Sequence, residues 1–418
     1  MSESENKKQH IQTILLHSDR RMGDPYAAAH MPIYKSVQFA YEDSQAIADA
    51  FQGKSAGYTY ARSNSPTLAA LDAKITLLEG GVGTVSYATG MAAIGTALLA
   101  LLKAGEHIVV SQFLFGNSTS LFNTFALHGI DITYVDATDA QAVAQAVSPN
   151  TRMVFVETIA NPRTQVADLA GIGELCRAKK ILFVVDNTMA TPALVQAKDF
   201  GAGIVMNSLS KGLSGHAVVL GGSLTDTGEF DWSDYPNIYE GYRKGDAKRW
   251  GLTQLRKKGL RDLGTTLSAD AANSIALGLE TFFLRNERAC ANALQLAEFL
   301  QQHPTVAHVD YPGLSEHPQH ERAQALFNGR GFGTLLSFTV KADAKPSFDV
   351  IDALRTVMIS THLGDNRTMA LPVAQTIYCE MPIEQRQAWG ISDGLIRVSV
   401  GIEDINDLIS DFNQALAS

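Results

Sequence analysis

Between about residues 66 and 225, short apolar runs alternate with longer stretches of helical character. The runs cover residues 107–110, 131–135, 153–157, 181–185 and 203–206. Most are continuously apolar rather than alternating, which is how strands look when crossover helices cover both faces, so a parallel sheet is predicted. Helices are predicted between them over 118–128, 139–147 and 169–179, the last ending in basic residues that suit a helix C-terminus. The uncharged stretch 80–102 is long enough to span a bilayer, yet glycines and hydroxyl residues fill its first half. Only 91–102 is good helix material, and Lys103-Ala104-Gly105 stops it, so a buried helix is expected and no membrane association.

The pattern changes after about residue 262. Residues 267–300 read as long and mainly helical, while 333–340 and 396–400 predict antiparallel strands with helices on one face. The expected fold class is therefore α/β, a mainly parallel central sheet followed by a smaller α+β C-terminal domain. The expected divisions are an N-terminal arm over 1–62, an α/β domain over 63–262 and the C-terminal domain over 263–418. Segment 228–261, rich in tyrosine, tryptophan and charge, is the expected insertion or interface. Its basic stretch from Arg243 to Arg261 reads as a solvated helix face, with attraction of an anionic substrate as the sharper alternative.

With 418 residues, 45% of them hydrophobic and 18% charged, the chain can bury a large core. A formal net charge of −9 argues against nucleic-acid binding. Cys176, Cys290 and Cys379 are far apart and unpaired in spacing, which points away from disulfides and zinc and towards a reducing, cytoplasmic setting. The start of the chain, with Glu3, Glu5, Lys7 and Lys8, reads as a solvated arm, and 11–16 is too short for a signal peptide.

Chemistry concentrates at Ser208-Leu209-Ser210-Lys211, which follows a predicted strand and precedes Gly212, Gly215, Gly221 and Gly222. A lone lysine is normally a solvated charge. Here, 25 residues upstream, Asp186 ends another apolar run, at the carboxyl edge where α/β sheets bind ligands. That layout suits pyridoxal phosphate (PLP): Lys211 as Schiff-base partner and proton carrier, the hydroxyls on the phosphate, Asp186 on the pyridine nitrogen. Asp186 could otherwise be a helix N-cap. Ala88-Thr89-Gly90-Met91 opens the uncharged helix, so its N–H groups could hold phosphate or merely form a tight junction. Gly80-Gly81-Val82-Gly83 lacks the spacing of a dinucleotide fingerprint. Arg397 alternates with apolar Ile396 and Val398, so it projects to the opposite face, either exposed by default or gripping a substrate carboxylate.

The ordered motifs resemble the Cys/Met-metabolism family of PLP enzymes, which includes cystathionine γ-synthase, cystathionine lyases, methionine γ-lyase and homoserine-ester sulfhydrylases. They run from Pro32-Ile33-Tyr34 through Tyr60-Ala61-Arg62, Ser65-Pro66-Thr67, Leu78-Glu79-Gly80-Gly81, Gly90-Met91-Ala92-Ala93, Asn161-Pro162, Asp186-Asn187-Thr188 and Ser208 to Lys211, ending at Arg397 to Asp404. The resemblance implies the type I PLP-transferase fold. It also implies Lys211 as the Schiff-base lysine, Asp186 on the ring nitrogen, Gly90, Met91, Ser208 and Ser210 around the phosphate, Asn161 near the phenolic oxygen and Arg397 on the substrate carboxylate. Tyr60 and Arg62 would reach the neighbouring subunit's phosphate, Tyr60 also bordering the substrate, in a tetramer of two dimers.

Phe115 stands where many members have a stacked tyrosine; it can stack but has no proton to give. Asn117, Ser210-Lys211-Gly212 and His362-Leu363-Gly364-Asp365 are further departures. Arg261 to Gly264, Leu277 to Thr281, Tyr311 to Leu314 and His317-Pro318 resemble O-acetylhomoserine sulfhydrylases most. The implied reaction is γ-replacement on an O-acyl-homoserine with sulfide or a thiol, with cystathionine γ-synthase and then methionine γ-lyase as alternatives. A nicotinamide-dependent oxidoreductase, which lacks its fingerprint here, and an inactive PLP-fold binding module, which would be expected to lose Lys211, complete the rivals.

Overall fold

Seven strands build the central sheet of the computed structural model, which describes residues 9–417. In chain order they are β1 (Gly83–Tyr87), β2 (His107–Ser111), β3 (Asp131–Val135), β4 (Thr151–Glu157), β5 (Leu182–Asp186), β6 (Ile204–Asn207) and β7 (Gly222–Asp226). Their spatial order is β1-β7-β6-β5-β4-β2-β3. The five runs read from the sequence are β2 to β6, and every pairing among them is parallel. Alternate residues divide between two buried faces: Ile108, Val110 and Phe155 pack on one side, Val109, Val154 and Val156 on the other. Helices Gly90–Leu101 and Leu169–Lys179 cover those two faces.

Strands β1 and β7 were not foreseen. They add antiparallel to the β6 edge, and their sequences, GTVSY and GSLTD, mix glycine and hydroxyl residues with few apolar ones. Buried hydroxyls meet across the pair instead, with Thr84 Oγ1 and Thr225 Oγ1 2.9 Å apart.

The sheet order sets the position of the site. From β2 the chain steps outwards to β3, returns to the other side of β2 as β4, and then proceeds to β5 and β6. The carboxyl ends of β2 and β4 therefore flank the switch point, where an α/β sheet leaves a crevice.

A second sheet has the order β10-β11-β12-β9-β8, with β8 Val306–Asp310, β9 Leu335–Val340, β10 Met358–Ile359, β11 Met369–Pro372 and β12 Leu395–Ser399. Only the short β10 pairs in parallel. Helices Phe282–Gln302 and Ile405–Ala417 pack on one face through Leu296, Leu300, Leu408 and Phe412, against Phe338, Ile396 and Val398. The stretch read as one long helix over 267–300 is two, since Ala269–Glu280 ends at Thr281. The first of them packs on helix Pro66–Glu79 and so belongs with the layer that covers the large sheet.

Segment 228–261 differs from expectation. Trp232, Tyr235, Ile238, Leu255 and Leu260 enter the main core, and the Trp232 indole donates to Asp226, so the segment is woven into the α/β unit rather than inserted on it. Its basic residues divide: Lys244, Lys248, Arg249 and Lys257 are exposed as expected, while Arg256 donates to Asp72 at 2.9 Å and to the Thr84 carbonyl, and Arg243 ties the Ser233 and Tyr235 carbonyls together. Helix 11–16 anchors the start of the described chain, because buried Lys74 bonds to the Leu15 carbonyl, Ser18 and Asp19. Glu3, Glu5, Lys7 and Lys8 lie outside the described residues. No helix of the described chain is long and apolar enough to cross a membrane.

Candidate active site

The ends of β4, β5 and β6 open into one cavity of about 420 Å³. Gly90, Met91, Phe115, Asn161, Asp186, Ser208, Ser210, Lys211 and Arg397, separated by up to 307 residues in the chain, all line it. Tyr60 and Arg62 do not. Arg62 lies over the Tyr60 ring, 5.6 Å from its centroid, and donates to the Arg261 carbonyl outside this cavity.

Asp186 closes β5 and is buried, and no helix starts beside it, which removes the N-cap reading; the next helix is Thr191–Leu194. Its Oδ1 accepts from the Thr188 N–H at 2.9 Å. Thr188 Oγ1 in turn accepts from the Ser208 N–H at 2.8 Å, which ties the Ser208 loop to the carboxylate. Glu157 ends β4 directly beside Asp186 in register and accepts from the Phe115 N–H at 2.8 Å, a bond that bridges the switch point. Burial raises both carboxyl groups above their ordinary range, and the charge of Asp186 raises Glu157 further. Among the described residues no ion pair reaches either of them. Burial favours their neutral forms, and a positive group bound beside them would favour the charged ones.

Across the cavity stand the cations. Burial lowers Lys211 to about 8, with Arg397 adding to the shift. Arg397 is 1% exposed, which overturns the default of a surface arginine. It donates to the Thr361 carbonyl at 2.9 Å and to Asn161 Oδ1 at 3.4 Å, and its Nε has no partner among the described residues. A buried guanidinium with an open donor is suited to a carboxylate ligand.

At the opposite wall, helix Gly90–Leu101 begins with Thr89 as its cap, the hydroxyl accepting from the Ala92 N–H. The first N–H groups of a helix have no partner within it, so those of Gly90 and Met91 are free for an anion. Two glycines make the approach possible: a Cβ on Gly90 would stand 3.0 Å from Ser208 Cβ, and one on Gly222 would stand 2.2 Å from the Thr89 carbonyl oxygen. The Ser208 side chain lines the cavity here, whereas the Ser210 hydroxyl is already bonded to the Gly221 backbone at both its N–H and its carbonyl.

The cavity thus offers an amine, a buried acid at strand-end depth, an apolar ring and an anion cradle, a set that fits PLP. The model for "Cys/Met metabolism PLP-dependent enzyme" matches residues 12–417. The chain belongs to that family. Its cofactor is therefore PLP, and its chemistry is that of the sulfur amino-acid lyases and transferases. It is 34% identical to an L-methionine γ-lyase of Fusobacterium nucleatum subsp. polymorphum, covering 99% of each chain. It is also 34% identical to an O-acetyl-L-homoserine sulfhydrylase of Corynebacterium glutamicum, covering 98% of this chain and 97% of the relative. A Campylobacter jejuni crystal structure described as an O-acetylhomoserine (thiol)-lyase superposes with a TM-score of 0.91 at 28% identity, over 98% of this chain and all of that one. That structure carries a pyridoxyl-lysine monophosphate. The family assignment sets aside the nicotinamide oxidoreductase.

Sequence reasoning missed Glu157, Thr188 and Met206, all of which line the cavity. Glu157 was within reach of the rule applied to Asp186, since both end apolar strands at the same sheet edge. It noted His362 only as a departure from the family pattern, although the ring lies beside Lys211.

Proposed function

We propose that this protein catalyses γ-replacement on an O-acyl-homoserine, with acetyl as the first-choice acyl group and sulfide or a thiol as nucleophile, giving homocysteine or methionine. The observation that carries the choice is Phe115 on the cavity wall at the switch point. An ester departs as a carboxylate and needs no proton, whereas a methionine thiolate is a poor leaving group without one. A phenyl ring supplies none. The Tyr378 hydroxyl already donates its proton to the Asn161 carbonyl.

In this reading Lys211 holds the cofactor aldehyde and moves protons at the substrate, and its lowered basicity keeps an amine available near neutral pH. Asp186 pairs with the cofactor's ring N–H, gaining the countercharge that its burial lacks. Gly90, Met91 and Ser208 hold the phosphate, while Ser210 shapes that loop through Gly221. Phe115 stacks on the ring, Asn161 stands by the phenolic oxygen, and Arg397 holds the substrate carboxylate with Asn161 bracing it. Bound PLP supplies an electron sink for the charge left when protons depart from Cα and Cβ. Tyr60 and Arg62 lie outside their own cavity and are assigned to the phosphate and substrate side of a neighbouring subunit's site.

Methionine γ-elimination is the second reading, favoured by the Fusobacterium relative of equal identity. Product analysis separates them: O-acetylhomoserine, O-succinylhomoserine and methionine are each supplied with and without sulfide, methanethiol or cysteine. Homocysteine formed fastest from O-acetylhomoserine and sulfide is the expected outcome. If 2-oxobutyrate from methionine alone appears faster, the replacement reading fails.

A further inference from the structure

Glu157 and Asp186 end neighbouring parallel strands in register, so their side chains leave the sheet on the same face, from backbones about 4.8 Å apart. The register is held beyond the strand ends, since the Thr158 N–H donates to the Asp186 carbonyl at 3.0 Å and the Thr158 hydroxyl to Asn187 Oδ1 at 3.0 Å. Both side chains line the cavity, Glu157 8% and Asp186 9% exposed. A protonated cofactor ring brings one N–H, and so one positive charge, to this wall. Asp186 takes it. A second carboxylate beside the first would be a buried charge without a partner, and a carboxyl so placed holds its proton instead.

Glu157 has a second set of contacts. Its Oε1 accepts from the Phe115 N–H at 2.8 Å, and the Asn161 N–H faces the same carboxyl. Those two backbone groups belong to the residue assigned to stack on the ring and to the one assigned to its phenolic oxygen. Accepting from them needs only an oxygen lone pair, which the carbonyl of a neutral carboxyl retains. The titratable groups that act on Glu157 are Asp186 on the next strand and Tyr378 in the connection between β11 and β12, and both ionise to anions. Burial first and the Asp186 charge second raise Glu157 well above the ordinary carboxyl range, so Asp186 is the first of the two to ionise.

We propose that Glu157 keeps its proton in the holoenzyme and serves as a neutral positioning residue, tying the Phe115 and Asn161 backbones to the end of β4 while Asp186 remains the single anion at the ring nitrogen. The inference rests on Asp186 as the partner of the ring N–H, and it is the same for γ-replacement and γ-elimination. Glutamine is then the faithful replacement, because its amide is uncharged and its oxygen offers the same lone pairs. Alanine leaves the Phe115 N–H buried and unpaired.

Infrared difference spectra at saturating PLP and neutral pH read the proton directly. Subtracting Glu157→Gln from wild type should leave a carboxylic-acid C=O band that shifts in D2O, and subtracting Asp186→Asn should leave a carboxylate band. A carboxylate band in the Glu157 difference overturns the proposal. An acid band in the Asp186 difference overturns instead the reading of Asp186 as the countercharge, so the two failures are told apart. Cofactor affinity supplies a second readout: the Glu157→Ala apoenzyme should bind PLP about tenfold more weakly than wild type, the loss of one buried N–H partner, and Glu157→Gln within about threefold. Equal losses in the two variants would show that the charge and not the oxygen is needed, and no loss in Glu157→Ala would remove the positioning role; either result refutes the proposal. Should Glu157→Gln fail to fold, wild-type holoenzyme decides: an acid band must persist above the pH of about 7 at which Glu79 and Asp226 ionise, and its absence there refutes the neutral carboxyl. Which reaction the enzyme runs is decided by the product analysis and alters neither band.

Discussion

Lys211 and Arg397 stand in one buried cavity, and their like charges set a measurable property of the lysine. Burial first and Arg397 second bring Lys211 to about 8, from an ordinary 10.5. Only the free amine attacks an aldehyde. The rate at which apoenzyme takes up PLP should therefore rise with pH through about 8 and then level, where an ordinary lysine would keep the rate rising to about 10.5. In Arg397→Met the second cause is gone, so the midpoint should move upward; stopped-flow absorbance across the pH range checks both. Arg397→Lys keeps the charge but loses the planar fork that spans Thr361, Asn161 and the open Nε direction. Its KM for the amino-acid substrate should rise by about tenfold to a hundredfold, the loss of one charge-assisted bond, with a smaller change in kcat in steady-state assays. At this scale the sequence was informative about Lys211, Asp186 and Arg397 because each sits where a strand pattern aims it. It was silent on the partner of Lys211, since nothing local to residue 362 indicates that the chain returns to within 3.5 Å of residue 211.

Elements were legible where burial on both sides made them uniform. Strands β2 to β6 announce themselves as apolar runs, while β1 and β7 hide because their buried faces use Thr84, Ser86, Ser223 and Thr225 in place of aliphatic residues. The tryptophan-rich segment misled as an insertion for the converse reason: it sends Trp232 and Tyr235 into the core. One contact between elements yields a stability test. Glu79 ends helix Pro66–Glu79, is fully buried, and accepts from Asn207 Nδ2 at the end of β6 at 2.7 Å; its other oxygen has no hydrogen-bond partner among the described residues. Burial raises its pKa from 4.5 to about 7. Below about 4.5 both folded and unfolded chains hold this proton; between about 4.5 and 7 only the folded chain does; above about 7 neither does. The folded state then binds more protons within the window, so this group's contribution to stability falls as pH rises through it and is flat above. Glu79→Gln cannot ionise. Relative to wild type its stability should climb across that window by at most about 1.4 kcal/mol per pH unit and stay higher at pH 8, as read by denaturant unfolding. A wild-type and variant difference that is independent of pH would refute the assignment.

On the scale of the whole molecule, residues 33–62 are the part least explained by their own chain. Tyr60, Ile33, Val37 and Phe51 are exposed apolar or aromatic side chains in one stretch, and Tyr60 with Arg62 lies outside the cavity that residues 90 to 397 enclose. A cavity that already joins both sheets but excludes these two residues is complete in its amine, acid and helix start. The proposed phosphate, with about two negative charges near neutral pH, would draw a further cation to that helix start. If a neighbouring copy supplies Arg62, every active site draws Lys211 from one chain and Tyr60-Arg62 from the other. Lys211→Ala and Arg62→Ala should each be nearly inactive alone. Mixed, dissociated and reassociated at equal amounts, half of the pairs are hybrids, and each hybrid has one site with both residues intact and one with neither. About a quarter of wild-type activity should therefore return, and cofactor absorption should return with it. Were Arg62 to serve its own chain, every site in the mixture would lack one of the two residues and no activity would reappear. Reassociation is verified by the exchange of differently tagged chains, so a null recovery with exchanged tags decides against the shared site.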